Sequence, residues 1–319
     1  MILLIKKISY LVLMLLLISV ISFLAIHIAP NSFFSAGELN PNMTPEALEK
    51  LKAVYGLDKP LLYQYIDWMK NILTLNFGVS FVTGQDVSTE ISKRIPITLV
   101  INIVSLFLVF FISIYMGIKA ALQNGKKIDY MIRQFSLFSF SMPSFYLALL
   151  LIILFSVNLN ILPFSGLHSM EAKSGIYYYL DMAWHLVLPV GVMTFVGLGS
   201  MIIYIRSLTL EILKSDYYFF AKARGLSDKL LLKRYILPNL LPPVVTLLGL
   251  SLPGLIGGSV ILESIFGIDG MGRFFYMSAL SRDYPSIMGI LMITAFLTLL
   301  GNMIADFILF RLNPYAKRG

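Results

Sequence analysis

Side chains able to do covalent chemistry are scarce in this chain and scattered along it. There is no cysteine, which excludes disulfides and thiol nucleophiles. The three histidines, His27, His168 and His185, stand far apart in sequence, without metal-ligand spacing. No G-x-x-x-x-G-K-S/T run occurs, so the chain cannot itself be a P-loop ATPase. No nucleophile, base or metal constellation emerges, so no catalytic residue and no metal site is assigned, and no cofactor is expected on this chain. The polar residues instead gather into one long basic run, Ser215 to Asn239 (SDYYFFAKARGLSDKLLLKRYILPN). Lys214 precedes it. Lys222, Arg224, Lys229, Lys233 and Arg234 lie within it, against only Asp216 and Asp228. The chemistry such a run offers is docking: a cationic, solvent-facing element held between apolar stretches.

Local signals predict a helix, a break and a second helix within this run. Ala221, Lys222, Ala223 and Arg224 are good helix formers. Gly225 is placed as a C′ glycine, where a left-handed backbone costs little. Ser227 then reads as an N-cap for a helix from Asp228 to Leu237, with Asp228 at its positive end. Pro238 ends that helix or begins the next turn. The expected product is a short, bent, exposed hairpin with a basic face. The plainer reading is a solvated loop that is basic only because cytoplasmic loops are.

The elements around this run are membrane spans. Of 319 residues, 58% are hydrophobic and 13% charged, whereas ordinary soluble domains carry roughly a quarter charged residues. Apolar stretches predict an all-α polytopic membrane protein with six transmembrane helices, at 8–29, 95–122, 134–157, 185–204, 240–262 and 284–310. The first follows Lys6 and Lys7 and is too long for a secretory h-region, so it reads as a retained anchor. Pro143 is expected to kink the third span. Residues 30–94 form a long polar loop with helical content. Thr44 and Pro45 start one helix, and the amphipathic stretch 61–75 either lies on the membrane surface or packs on the body of the protein. The remaining loops are 124–133, 158–184 and 263–283, and 311–319 is a tail.

Charge sets the orientation. With the N-terminus inside, most of the 25 Lys+Arg fall on the cytoplasmic side. The two short outer loops then hold only Lys173, Arg273 and Arg282, and long loops count for little in the positive-inside rule. Both termini are therefore expected in the cytoplasm. Lys93 and Arg94 conflict with this, because they flank the second span on the outside. The net charge of +8 belongs to membrane topology and implies no nucleic-acid partner. Lipid is the expected surroundings.

Single polar or small residues in the spans invite paired readings. Pro253, Gly254, Gly257 and Gly258 sit in the fifth span, and Gly254 with Gly258 makes a G-x-x-x-G spacing. That suits a path-lining helix against a partner or close packing within this subunit. Glu263, at the outer end of the same span, is a gate or a contact for an extracytoplasmic protein, or simply a solvated or paired carboxylate. Gly270, Gly272 and Arg273 share that outer assignment. The glycine-rich loop 267–273 follows no strand and makes no phosphate site. Asn302 and Asp306 share a face of the sixth span, with Arg311 beyond. Asn102, Ser139 and Ser141 touch substrate or make interhelical hydrogen bonds.

The basic run, standing here as AKARGLSDKLLLKRYILPN, resembles the cytoplasmic coupling motif of binding-protein-dependent ABC importer permeases, and most of all their dipeptide, oligopeptide and nickel branch. The general motif opens Glu-Ala-Ala, where this chain has Phe219, Phe220 and Ala221. Members of the peptide branch commonly lack that glutamate. Other stretches are similar to the family in the family's order: FLAIHIAPNSF, YGLDKPLLYQYIDWMKNIL, NFGVSF, ISKRIPITL, LPFSG, ESIFGIDGMGR and SRDYP.

The resemblance implies a type I ABC importer permease fold in a bacterial inner membrane, with a helical outer insertion between helices 1 and 2. The long first loop implies the first of two paired permeases. It further implies a second six-span permease, two P-loop ATPases that use ATP and Mg, and an extracytoplasmic binding protein. Ala221, Ala223, Arg224, Gly225, Leu226, Leu237 and Pro238 would then couple this chain to the ATPases. The expected cargo is short peptides, with nickel or a nickel chelate as the alternative. An ATP-independent secondary transporter is a remoter class, disfavoured by the absence of a convincing repeat and by the scarcity of mid-span charges.

Overall fold

The apolar stretches wind into helices because a backbone without water must satisfy its own hydrogen bonds. The computed structural model describes residues 2–28, 59–169, 174–251 and 260–312. All regular elements among these are helical, apart from one isolated β-bridge between Val79 and Asp86. They are α1 (Ile2–Ile28), α2 (Leu61–Leu73), α3 (Val87–Leu122), α4 (Lys127–Ser141), α5 (Ser144–Leu151), α6 (Ile176–Leu213), α7 (Asp216–Ala223), α8 (Asp228–Leu231), α9 (Leu237–Ser251), α10 (Val260–Ile265), α11 (Met271–Leu280) and α12 (Tyr284–Leu312). The chain divides into two units, 1–96 with 270–300 and 97–269 with 301–319.

The first unit is held by Phe77, Val87, Ile91, Met271, Phe274, Ile290 and Met292, with Trp68 and Ile72 packed on them. α2 packs on the body, one of its two expected placements. Tyr65 Oη lies 2.8 Å from Ser19 Oγ, His27 Nε2 lies 3.1 Å from Gln64 Oε1, and Phe23 meets the Tyr65 and Trp68 rings. Its other face leaves Leu62, Tyr63 and Ile66 exposed. Buried Asp283 gathers a loop and a helix start: Ser80 Oγ (2.5 Å), Phe81 N–H (3.0 Å) and Ser286 Oγ (2.7 Å) all donate to its carboxylate. Lys93 and Arg94, which conflict with the expected orientation, are paired locally. Arg94 donates to the carbonyl and carboxylate of Glu90 at 2.9 Å and stacks over Phe274, and Lys93 lies 3.5 Å from the same carboxylate.

In the second unit, one apolar cluster joins α3, α5, α6 and α10 through Ile101, Ala148, Leu188, Val192, Leu262 and Phe266. A second joins α3, α6 and the 215–239 run. Gly199 lets α4 lie against α6, since a Cβ there would stand 2.6 Å from the Phe140 nitrogen.

Several sequence expectations need correction. The second helix begins at Val87 rather than 95, and the fourth runs 176–213 rather than 185–204. At 36 and 38 residues, both exceed the roughly 20 residues that a bilayer demands. Much of the expected loops 124–133, 158–184 and 263–283 is helix, in α4, α6, α10 and α11. The third stretch is not a kinked rod. α4 and α5 meet at 99°: Met142 is held extended ahead of Pro143 (φ −81, ψ 118), and the end of α4 is pinned to α6 by Ser139 and Phe140. α5 then runs on as a π-helical segment, Ile152–Asn158.

Among the described residues, three helices are long and apolar enough to cross a membrane, or four with the bent pair taken as one; α1 carries a shorter apolar stretch, Ser9–Ala25. The helix Tyr284–Leu312 closely matches the expected sixth span. The fifth is described only at its ends, α9 and α10. The expected helix at 44–55 lies outside the described residues.

Candidate functional site

The 215–239 run begins where α6 stops. Ser215 leaves the helical region (φ −73, ψ 149), and its carbonyl accepts the Phe219 N–H. α7 follows, with Asp216 in its first turn and Lys222 in its last, both favourable to the helix dipole. Arg224 caps it, and Gly225 turns the chain at φ +75. That left-handed angle strains any residue with a Cβ. Ser227 takes the N-cap position of α8, but only its carbonyl works there, accepting from Leu230 and Leu231.

The second helix does not end at Pro238. After α8 a π-helical turn, Leu232–Ile236, leads straight into α9, which carries Pro238, Pro242 and Pro243. Pro238 has no N–H to return to the carbonyl four residues back. The wider turn just ahead of it accommodates this loss without stopping the helix. Asn239 Nδ2 donates to the Tyr235 carbonyl at 2.7 Å beside it.

One side of this elbow is fixed and the other is open. Tyr218, Ala221, Leu231, Ile236 and Leu240 are buried against Phe110 and Ile118 of α3 and Ile205 and Ile212 of α6. Each large aliphatic side chain so buried is worth roughly 2 kcal/mol against exposure to water. Burial also holds the Tyr218 phenol above its usual pKa, and the Asp228 carboxylate pushes the same way. The open side shows Phe219 and Phe220, 66% and 62% exposed, with ring centroids 5.9 Å apart. Around them Lys222, Arg224, Lys229, Lys233 and Arg234 are exposed. The result is an apolar tip within a cationic rim, rigidly mounted on α6.

The seven expected coupling residues therefore divide. Ala223, Arg224, Gly225 and Pro238 face outward, Leu226 and Leu237 are half-buried, and Ala221 is buried as an anchor. Pro253, Gly254, Gly257 and Gly258 lie outside the described residues. Glu263 is buried and accepts a 3.1 Å hydrogen bond from Thr98 Oγ1, and it lines a small cavity with Asn102 and Met193. Gly270 precedes α11 in an extended conformation, and Gly272 and half-buried Arg273 lie in its first turn; these three belong to the first unit and Glu263 to the second. Ser139 donates to the Phe195 carbonyl across α4 and α6, the interhelical option. Ser141 is exposed, Asn102 buried and Asn302 half-buried. The side chains of Asp306 and Arg311 lie outside the described residues.

Residues 109–318 match the family described as "Binding-protein-dependent transport system inner membrane component", and residues 1–102 match its N-terminal companion. The chain belongs to this family. Several relatives of this permease match along nearly its whole length. It is 36% identical over 298 residues to the oligopeptide transport system permease protein AppB of Bacillus subtilis (strain 168), covering 93% of each chain. It is 32% identical to the dipeptide transport system permease protein DppB of Lactococcus lactis subsp. cremoris (strain MG1363), covering 98% of each. It is 33% identical to the metal-staphylopine import system permease protein CntB of Staphylococcus aureus (strain NCTC 8325 / PS 47), covering 98% of this chain and 97% of that one. Among solved structures, the MetNI methionine ABC transporter in an inward facing form shares the fold, with a TM-score of 0.53 over 70% of this chain and 96% of that one, at 19% identity.

Two features of the permease escaped sequence reasoning. Arg206 of α6 is paired with buried Asp129 of α4 at 2.6 Å. A lone arginine at the edge of an apolar run, and a lone aspartate in a basic turn, were the available signal. His168 and His185 both approach Asp181, at 3.5 and 3.6 Å, although they are separated in sequence. Among the described residues, no group of three His, Cys, Asp or Glu is arranged to hold a metal.

Proposed function

We propose that this permease is one of two that together enclose the path of an ATP-driven importer of short peptides. In this reading it spans a bacterial cell membrane six times with both termini in the cytoplasm, and residues 30–94 form an outer domain. It would be the first of the pair, working with a second six-span permease, two P-loop ATPases and an extracytoplasmic binding protein. ATP and Mg are used by the ATPases, not by this chain.

The observation that carries the proposal is the two-sided elbow at 215–239. Its buried side makes it one body with the end of α6, and its open side offers an apolar tip and positive charge to a soluble partner. A displacement of the elbow by closing ATPases would be delivered to α6 on one side and to α9 on the other. That is the mechanical requirement for alternating access driven from outside the membrane. The relatives AppB and DppB, named for oligopeptide and dipeptide transport, support peptides as cargo.

Co-purification of the tagged chain from native membranes tests the assembly. Two P-loop ATPases and a second six-span permease are expected. Recovery of the chain alone, or as a homodimer transporting without ATP, would replace this reading with a secondary transporter. CntB, named for metal-staphylopine import, favours a metal chelate as the second cargo reading. Uptake competed by metal chelates and not by di- or tripeptides would decide for it.

A further inference from the structure

α6 carries Arg206 about two turns before the elbow, and its guanidinium is engaged through both Nε and Nη2. Nε donates to Asp129 Oδ1 at 2.6 Å, and Nη2 donates to Asp129 Oδ2 at 2.8 Å and to Asn124 Oδ1 at 2.9 Å. The Asp129 side chain is 1% exposed. It also accepts the Gly125 N–H at 3.0 Å, and Arg133 Nε lies 3.8 Å away. One fork thus ties α6 to the first turn of α4 and to the turn joining α3 and α4. Beside it the helices touch without slack. A Cβ on Gly117 of α3 would stand 2.7 Å from Ile205 Cγ2, and Ile205 packs in the same cluster as Tyr218 and Ala221 of the elbow.

An apolar pair would join two packed helices as well as an ion pair does, or better. What a bidentate guanidinium adds is direction, because it fixes both separation and rotation. We propose that Arg206 and Asp129 are positioning residues that make α4 move with α6 when the elbow is displaced. Without the fork, α6 would follow the ATPases and the first turn of α4 would lag, so ATP would be hydrolysed without opening the path. This proposal rests on the importer reading above.

The test uses the complete complex in proteoliposomes, with a labelled alanine tripeptide on the binding protein as probe. Asp129→Asn and Arg206→Gln are each expected to lower tripeptide import per ATP hydrolysed by about tenfold, the scale on which residues of a coupling network act. ATPase activity stays near wild type, and Arg206→Lys, which keeps charge but loses the fork, falls between. A second readout needs no transport. Met131→Cys on α4 and Ser207→Cys on α6 place spin labels at two exposed positions beside the fork, in a chain with no cysteine of its own. The distance between the labels should be the same with and without ATP when the fork is intact, and should change with ATP when Asp129→Asn is added. Import and hydrolysis falling in proportion, or an ATP-independent separation in the variants, would overturn the proposal. A wild-type complex that assembles no ATPase would instead overturn the importer reading.

Discussion

Two of the bends between described helices of the second unit are built in opposite ways. At Gly225 the chain turns through a left-handed residue with no atom within 4 Å of where a Cβ would stand. At Met142–Pro143 it turns through two extended residues, flanked by Ser139 bonded to the Phe195 carbonyl and by Phe140 pressed on Gly199. The first bend is specified by its own backbone and leaves its surface open to another protein. The second is specified jointly by a proline and by a neighbouring helix, and its surface is used up in holding it.

Substitutions can break this contrast. Gly199→Leu should be the most damaging, because its side chain would meet backbone that cannot yield. A loss of about 3 kcal/mol or more should appear as little or no monodisperse protein after detergent extraction. Gly225→Pro comes next and differs in kind. Proline fixes φ near −65°, so the elbow must rebuild, while extraction yield stays near wild type and ATPase capture falls by about tenfold or more. Gly225→Asn, which tolerates the left-handed region, should retain capture within about threefold; equal loss in both variants would show that the turn angle is not what matters.

Smaller effects sharpen the picture. Pro143→Ala should leave the bend in place, since Ser139 and Gly199 still hold it, and cost about 1 kcal/mol in thermal stability. A straightened helix, seen as loss of a cross-link across the bend, would assign the bend to proline alone. Arg224→Ala should leave stability within about 0.5 kcal/mol and weaken ATPase capture mainly at low salt, where the cationic rim acts over the longest range.

What could be read from the sequence follows the same division. The elbow was legible because its signals are local: the helix formers Ala221, Lys222, Ala223 and Arg224, then Gly225 and Ser227, each act on their own turn, and the structure puts the break where they do. The last span was legible because its apolar run coincides with its helix. The bend at Met142 was not, since a proline inside an apolar run is compatible with a kinked rod until the neighbour supplies its contacts. The passage through Pro238 was missed for a related reason. A π-helical turn has no residue signature, and here it accommodates the N–H missing at Pro238. Arg206 and Asp129 lie 77 residues apart, so only the fold pairs them. Lys93 and Arg94 stood against the expected orientation in a count of charges, and the sequence alone did not show that Glu90 and the Phe274 ring pair with them.

The Asp283 carboxylate has a consequence for synthesis. It closes a loop with Ser80 across 203 residues. At about 5–20 residues per second, the ribosome delivers the second partner some ten to forty seconds after the first. Until then the loop carrying Ser80 and Phe81 lacks its acceptor, and Phe77 and Val87 lack Ile290 and Met292. The first unit therefore cannot mature in the order in which it is made. Its early helices must wait in the membrane, or with a chaperone, for the last span to arrive, and a chain cut short before Asp283 would leave that unit open to quality control.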